Sequence, residues 1–169
     1  MDLHPVFVHF PIAFLTIYSI MELARIKKLQ SKNYWFYVKA IVVIIGFIGS
    51  LLALLTGLSA EQNFPRDFPE RMVVSVHQFW AYASASIYGF VSLLYAISWA
   101  DRENFVKNPN KFWNVLLKIK SIFLDFWFVI ILSLCGLAAI TITGALGGAI
   151  VYGADADPFV SFVYKLFFK

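Results

Sequence analysis

The chain has 169 residues, of which 60% are hydrophobic, 18% aromatic and 14% charged, with a mean hydropathy of +0.74; soluble domains carry about 25% charged residues. These values exclude a water-soluble globular protein and leave no room for a second soluble domain beside four membrane crossings of about 20 residues each. The net charge of +4 does not indicate nucleic acid, because the basic residues flank apolar runs instead of forming a stripe of their own. The single cysteine, Cys135, excludes an internal disulfide, a thiolate zinc or iron-sulfur site and covalent haem attachment.

Four apolar segments are predicted to span, at about residues 5–23, 38–58, 73–99 and 121–152, each long enough to cross a hydrocarbon core of about 30 Å. The fold class is therefore all-α, one integral-membrane four-helix bundle over residues 1–169. The first segment is expected to stay in place, since Met1, Asp2 and Leu3 give no positive n-region and no small-residue cleavage site follows. Within it, Pro5 suits a first helical turn. Pro11 removes the hydrogen bond to the carbonyl of Phe7 and predicts an irregular backbone there. His4 and His9 are separated by about 140° on a regular helix and do not share a face.

The third segment carries His77. His9 and His77 each lie about four residues into their predicted helices, hence at one depth of about 6 Å. Small residues follow one turn deeper, Ala13 and Thr16 below His9, then Ala81, Ser84 and Ala85 below His77. Such a pair over thin helix faces suits a flat macrocycle held edge-on, and a non-covalent b-type haem needs two imidazoles and no thiolate. His9 and His77 are the expected ligands of a haem or metal, with His4 a further candidate and Ala13, Ala81 and Ser84 lining the cofactor. The plain alternative is that small residues let membrane helices pack and that the histidines bond a carbonyl or water.

The connection from Asp101 to Lys120 mixes Phe105, Phe112, Trp113, Leu116 and Leu117 with basic residues and predicts an amphipathic helix in the headgroup plane. In the fourth segment Gly144 and Gly148 form a GxxxG pair, with Gly136, Ala139 and Ala145 keeping neighbouring turns thin. Asp125, one or two turns inside the cytoplasmic membrane edge, could snorkel or pair with Lys118 or Lys120. Asp155 and Asp157 follow the last span as loop carboxylates that could join a metal, and Pro158 to Lys169 predict an interfacial helix with Phe159, Phe162, Val163 and Leu166 on one face. Tyr34, Trp35, Tyr37, Trp99 and Trp113 gather where interfacial anchors belong.

Counting basic residues orients the bundle. Ten lie in the connections 1–2 and 3–4, and four lie at the termini and in the 2–3 loop, so the first side is expected in the cytoplasm and both termini outside. His4, His9, His77, Glu61, Arg66, Asp67, Glu70, Asp155 and Asp157 then share the outer side.

Two motifs, His4-Pro5 through Val8-His9-Phe10-Pro11-Ile12-Ala13 and Thr143-Gly144-Ala145-Leu146-Gly147-Gly148 ending in Val151-Tyr152, resemble a bacterial four-helix inner-membrane family of unknown function with HPxxVHFPxA at the front and TGxLGGxxVY at the back. The resemblance covers nearly the whole chain. It implies a bundle in the inner (plasma) membrane whose histidines gather on the periplasmic side, by analogy with b-type cytochromes as haem ligands. The chain departs from the family where Gly153, Ala154 and Asp155 stand in place of a His-Gly pair after Tyr152, which argues against a second haem. The expected function is a cytochrome-like subunit that binds haem b near the outer surface and passes electrons to membrane or periplasmic redox subunits or a quinol. The alternatives are a haem-free anchor or assembly subunit and a metal-binding membrane protein. An electron-transfer or structural subunit fits better than a stand-alone enzyme.

Overall fold

In a computed structural model, which describes residues 4–24, 26–62 and 71–168, the described residues form seven helices. They are α1 (His4–Ala24), α2 (Lys27–Gln30), α3 (Asn33–Glu61), α4 (Arg71–Arg102), α5 (Lys111–Phe123), α6 (Phe126–Tyr152) and α7 (Pro158–Phe167). Among the described residues four helices are long and apolar enough to cross a membrane, over Val6–Ala24, Asn33–Glu61, Arg71–Arg102 and Trp127–Tyr152. The expected all-α membrane bundle is present. At about 1.5 Å per residue, the 32 residues of α4 reach about 48 Å, so its ends emerge from the hydrocarbon or the helix tilts.

The four long helices form a ring in the order α1, α3, α4, α6 and back to α1. Helix α1 runs unbroken from His4 to Ala24 with Pro11 inside it, contrary to the irregular backbone expected there. The buried Pro11 ring packs on the thin face of α3 at Gly49, where even a methyl group would stand 3.3 Å from Pro11 Cδ. Its inward stripe is His4, Val8, Pro11, Leu15, Tyr18 and Glu22, spaced by three and four residues. Close approach continues at Gly46 under Leu15, Gly89 under the Phe47 ring and Gly136 under the Tyr88 ring. The central cluster of Leu15, Tyr18, Val43, Tyr88, Val91 and Tyr95 fills the space between them.

The fourth predicted segment, 121–152, divides in the structure. Helix α5 ends at Phe123, Asp125 takes an extended conformation (φ −63°, ψ 159°), and α6 begins at Phe126. Asp125 is exposed at this corner. Lys120, one of its two candidate partners, instead bonds Asp101 at 3.0 Å, tying α5 to α4. Helix α5 buries none of its residues and exposes Phe112, Val115 and Ile122, as an interfacial helix should. Helix α7 is capped by Asp157, whose Oδ1 accepts from the N–H groups of Phe159 and Val160. It buries Val160 and Val163 against α6 and the start of α4, while Phe159, Phe162 and Leu166 stay exposed. The GxxxG pair divides accordingly: Gly148 accommodates Val160 of α7, and Gly144 faces a cavity. Tyr37 does more than anchor, since its hydroxyl donates to Glu103 and its ring meets Trp99 edge-on, joining α3 to the end of α4.

Candidate functional site

At the end of the bundle where α1 and α4 begin, the helices leave a partly open cavity of about 230 Å³. Its walls are mostly apolar, with Val8, Ile12, Leu54, Val74, Ile140 and Ile150 among them. His4 of α1 and His77 of α4 both line it.

The hydrogen bonds determine which ring nitrogen of each histidine carries the lone pair. His77 Nδ1 lies 2.9 Å from the carbonyl oxygen of Thr143; a carbonyl only accepts, so Nδ1 holds the hydrogen and the neutral ring has its lone pair on Nε2. His4 Nδ1 lies 3.1 Å from Thr56 Oγ1. That hydroxyl spends its own hydrogen on the carbonyls of Leu52 and Ala53 at 3.0 and 3.1 Å. It therefore accepts from His4, and the lone pair of His4 is again on Nε2.

A glycine stands against each ring. A methyl group at position 57 would lie 3.0 Å from Cε1 of His4, and one at position 147 would lie 3.2 Å from Cε1 of His77. Thr143 and Gly147, one turn apart in the TGALGG motif, thus form the seat of His77. Thr56 and Gly57 do the same for His4. On the cavity wall, Gln78 donates to Glu61 at 2.5 Å, joining α4 to the end of α3.

Of the residues expected at a site, His4, His77, Ala81 and Ser84 line this cavity, whereas His9 and Ala13 are exposed on the outside of α1. The structure does not bring His9 to His77. His9 is five residues from His4, and the inward stripe of α1 follows His4. Among the described residues no group of three His, Cys, Asp or Glu is placed to hold a metal. Asp157 is a helix cap, and Asp155 is exposed with a 3.5 Å contact from Ser161 Oγ. Arg66, Asp67 and Glu70 lie outside the described residues.

A second polar group lies at the other end of the bundle. Glu22 of α1 is 2% exposed. It is paired with Lys39 Nζ at 2.9 and 3.0 Å and accepts from the hydroxyls of Tyr18, at 3.2 Å, and Tyr95. Lys39 had counted only as a basic flank in the orientation above. The available signal was an acidic residue in the first apolar segment and a lysine in the second, which need one another inside a membrane.

A profile of the family described as Predicted membrane protein (DUF2231) matches residues 1–156. No curated protein and no solved structure matches the chain. The chain belongs to that family.

Proposed function

We propose that this member of the DUF2231 membrane-protein family is a b-type-cytochrome-like subunit, with haem b held by His4 and His77 in the cavity between the four long helices. The observation that carries the reading is the matched anchoring of the two rings. Both give their Nδ1 hydrogen to an oxygen of the facing helix, both keep the lone pair on Nε2, and both line one apolar cavity. An imidazole oriented through its other nitrogen in this way is the common form of a metal-binding histidine. Two such donors without a thiolate suit low-spin haem iron, which supplies one-electron transfer. Gly57 and Gly147 let each ring lie close on its helix, and Ala81 and Ser84 keep the α4 wall thin. The volume of about 230 Å³ is below the roughly 300–1,000 Å³ of ordinary small-molecule sites, so a haem held by these rings would reach beyond the cavity.

In this reading the lysine-rich connections face the cytoplasm of a bacterium and the cavity faces the periplasm. A haem at one face needs a membrane or periplasmic redox subunit to receive its electron. Oxidised and reduced optical spectra of protein purified from native membranes test the assignment. We expect a b-type spectrum that His4→Ala and His77→Ala abolish and His9→Ala preserves. Absence of haem, or its loss in His9→Ala alone, rejects it. Labelling Asn33→Cys or Lys107→Cys from outside intact cells, in a Cys135→Ala background, would reverse the orientation.

The cavity volume favours one second occupant, a single-ring quinol headgroup hydrogen-bonded by the same Nε2 atoms. Haem-free protein that protects a quinol from extraction, with protection lost in His77→Ala, supports that reading. Protein that carries neither ligand leaves the role of a haem-free anchor.

A further inference from the structure

Among the described residues, three of the four seams around the cavity carry close contacts at its level. Between α1 and α3, the His4 ring lies against Gly57 and the Pro11 ring against Gly49. Between α4 and α6, the His77 ring lies against Gly147 and its Nδ1 bonds the Thr143 carbonyl. Between α6 and α1, a methyl group at Gly144 would touch Ile12, at 4.0 Å. The seam between α3 and α4 differs. Deeper in the bundle it is closed by the Phe47 ring on Gly89 and by Ser92 Oγ, which donates to the Val43 carbonyl at 3.1 Å. At the histidine end the Gln78–Glu61 bond crosses it. Between these levels stand Leu58, three residues before Glu61, and Tyr82, four residues after Gln78. The two helices run antiparallel, so Leu58 and Tyr82 share one level, about one turn below that bond and on the same faces.

Both side chains line the cavity, yet Leu58 is 42% and Tyr82 46% exposed. Facing the cavity does not by itself expose a residue, since Val74, Ser84 and Ile140 line it and stay buried. Leu58 and Tyr82 therefore form a window from the cavity to the outside of the bundle. Ile12 and Val151 are exposed wall residues too, but Ile12 meets α6 at Gly144 and Val151 lies two turns from that contact. Leu58 and Tyr82 belong to membrane-spanning helices, and Leu55 and Phe79 beside them are exposed apolar residues, so the window opens on lipid.

We propose that this window is the entrance of the cavity and that the ligand comes from the bilayer. The ligand is a flat ring carrying hydrocarbon, with the ring at the two imidazoles and the hydrocarbon between Leu58 and Tyr82. The Gln78–Glu61 bond holds α3 and α4 at the spacing the window needs. Walls of carbon receive hydrocarbon at no cost in desolvation, whereas a hydrated solute would lose its water there. A haem with its vinyl edge in the window and a quinol with its tail there satisfy the same chemistry. The proposal rests on the reading that the cavity takes a ligand, not on which one.

The test is photolabelling of the full chain in phosphatidylcholine vesicles, with an alkyl diazirine dissolved in the bilayer or with a water-soluble diazirine, and mapping of adducts by mass spectrometry. A His77→Ala chain, which keeps no haem to shield the walls, is labelled alongside. The lipid-phase probe is expected to label Ile140 and Thr143 of the α6 wall several-fold more than the water-soluble probe. Leu58→Trp should lower that labelling several-fold, Tyr82→Ala should raise it, and Val151→Trp should leave it unchanged. Leu58 and Tyr82 are both exposed, so either variant keeps the packed core. Equal or stronger labelling of this wall by the water-soluble probe, or labelling that neither window variant changes, overturns the proposal. Adding haem or a decyl benzoquinone to the vesicles before irradiation tells the two ligands apart, because the one the native chain takes suppresses labelling of Ile140 and Thr143. A chain that purifies without haem but shows the window pattern keeps the entrance and rejects the haem assignment; haem in the native chain without that pattern in His77→Ala does the reverse.

Discussion

Gly147→Ala separates ring placement from fold stability. The added methyl would stand 3.2 Å from Cε1 of His77, where carbon pairs prefer about 3.5–4.0 Å. The ring must retreat by about 0.3 Å or more. It is tied at 2.9 Å to the carbonyl of Thr143, one turn earlier on the same helix, so retreat from α6 stretches that bond towards the limit of about 3.2 Å. Weakening it costs at most about 0.5–1.5 kcal/mol, while alanine in place of a helical glycine gains about 0.8–1.0 kcal/mol. The two nearly cancel. The expected result is an unfolding free energy within about 1 kcal/mol of the native chain, together with ligand binding at least about tenfold weaker, which corresponds to about 1.4 kcal/mol. Equilibrium unfolding in mixed micelles measures the first, and ligand titration with nitrogen NMR of the His77 ring measures the second. An unchanged His77 Nδ1 resonance together with undiminished binding would refute the reasoning, as would a loss of stability above about 2 kcal/mol.

Gly136→Ala should behave oppositely. Its methyl would lie 2.7 Å from Cζ of the fully buried Tyr88, and the same unfolding measurement should show a loss of about 1–3 kcal/mol from overpacking. Glu22→Leu, which strands Lys39, should cost about 3–5 kcal/mol, and adding Lys39→Leu should recover most of that loss; a double variant no better than the single one contradicts the pairing. Asp157→Ala removes both cap bonds of α7 and should cost about 0.5–2 kcal/mol. The Trp80 fluorescence reports it, because the Trp80 ring meets Phe167 of α7 at 6.1 Å.

Much of the fold was legible from residue order alone. The four spans, the amphipathic connection that became α5 and the terminal helix α7 follow from apolar length and spacing, which a bilayer about 30 Å thick imposes directly. The break at Leu124 and Asp125 was not legible, because α5 and α6 form one nearly continuous apolar stretch and a corner between an interfacial and a spanning helix leaves little mark on hydropathy.

The site was half legible. Composition and spacing identified the histidines, the end of the bundle they occupy and the thin walls at Ala81 and Ser84. They did not decide between His4 and His9. That choice depends on which side of α1 faces inward, and in a membrane helix both lipid and protein interior are apolar, so hydropathy carries little phase. Tertiary packing supplies the phase: α1 packs on α3 and α6, its Leu15, Tyr18 and Glu22 are buried, with Tyr18 and Glu22 reaching Tyr95 of α4, and His4 follows them inward while His9 turns out. The same packing joined Glu22 to Lys39 and seated each imidazole against a glycine. Sequence by itself determined that this is a four-span membrane protein with its histidines at one end. Only the tertiary structure decided which histidines line the cavity, because facing across helices depends on rotation about the helix axis, which length and composition do not encode.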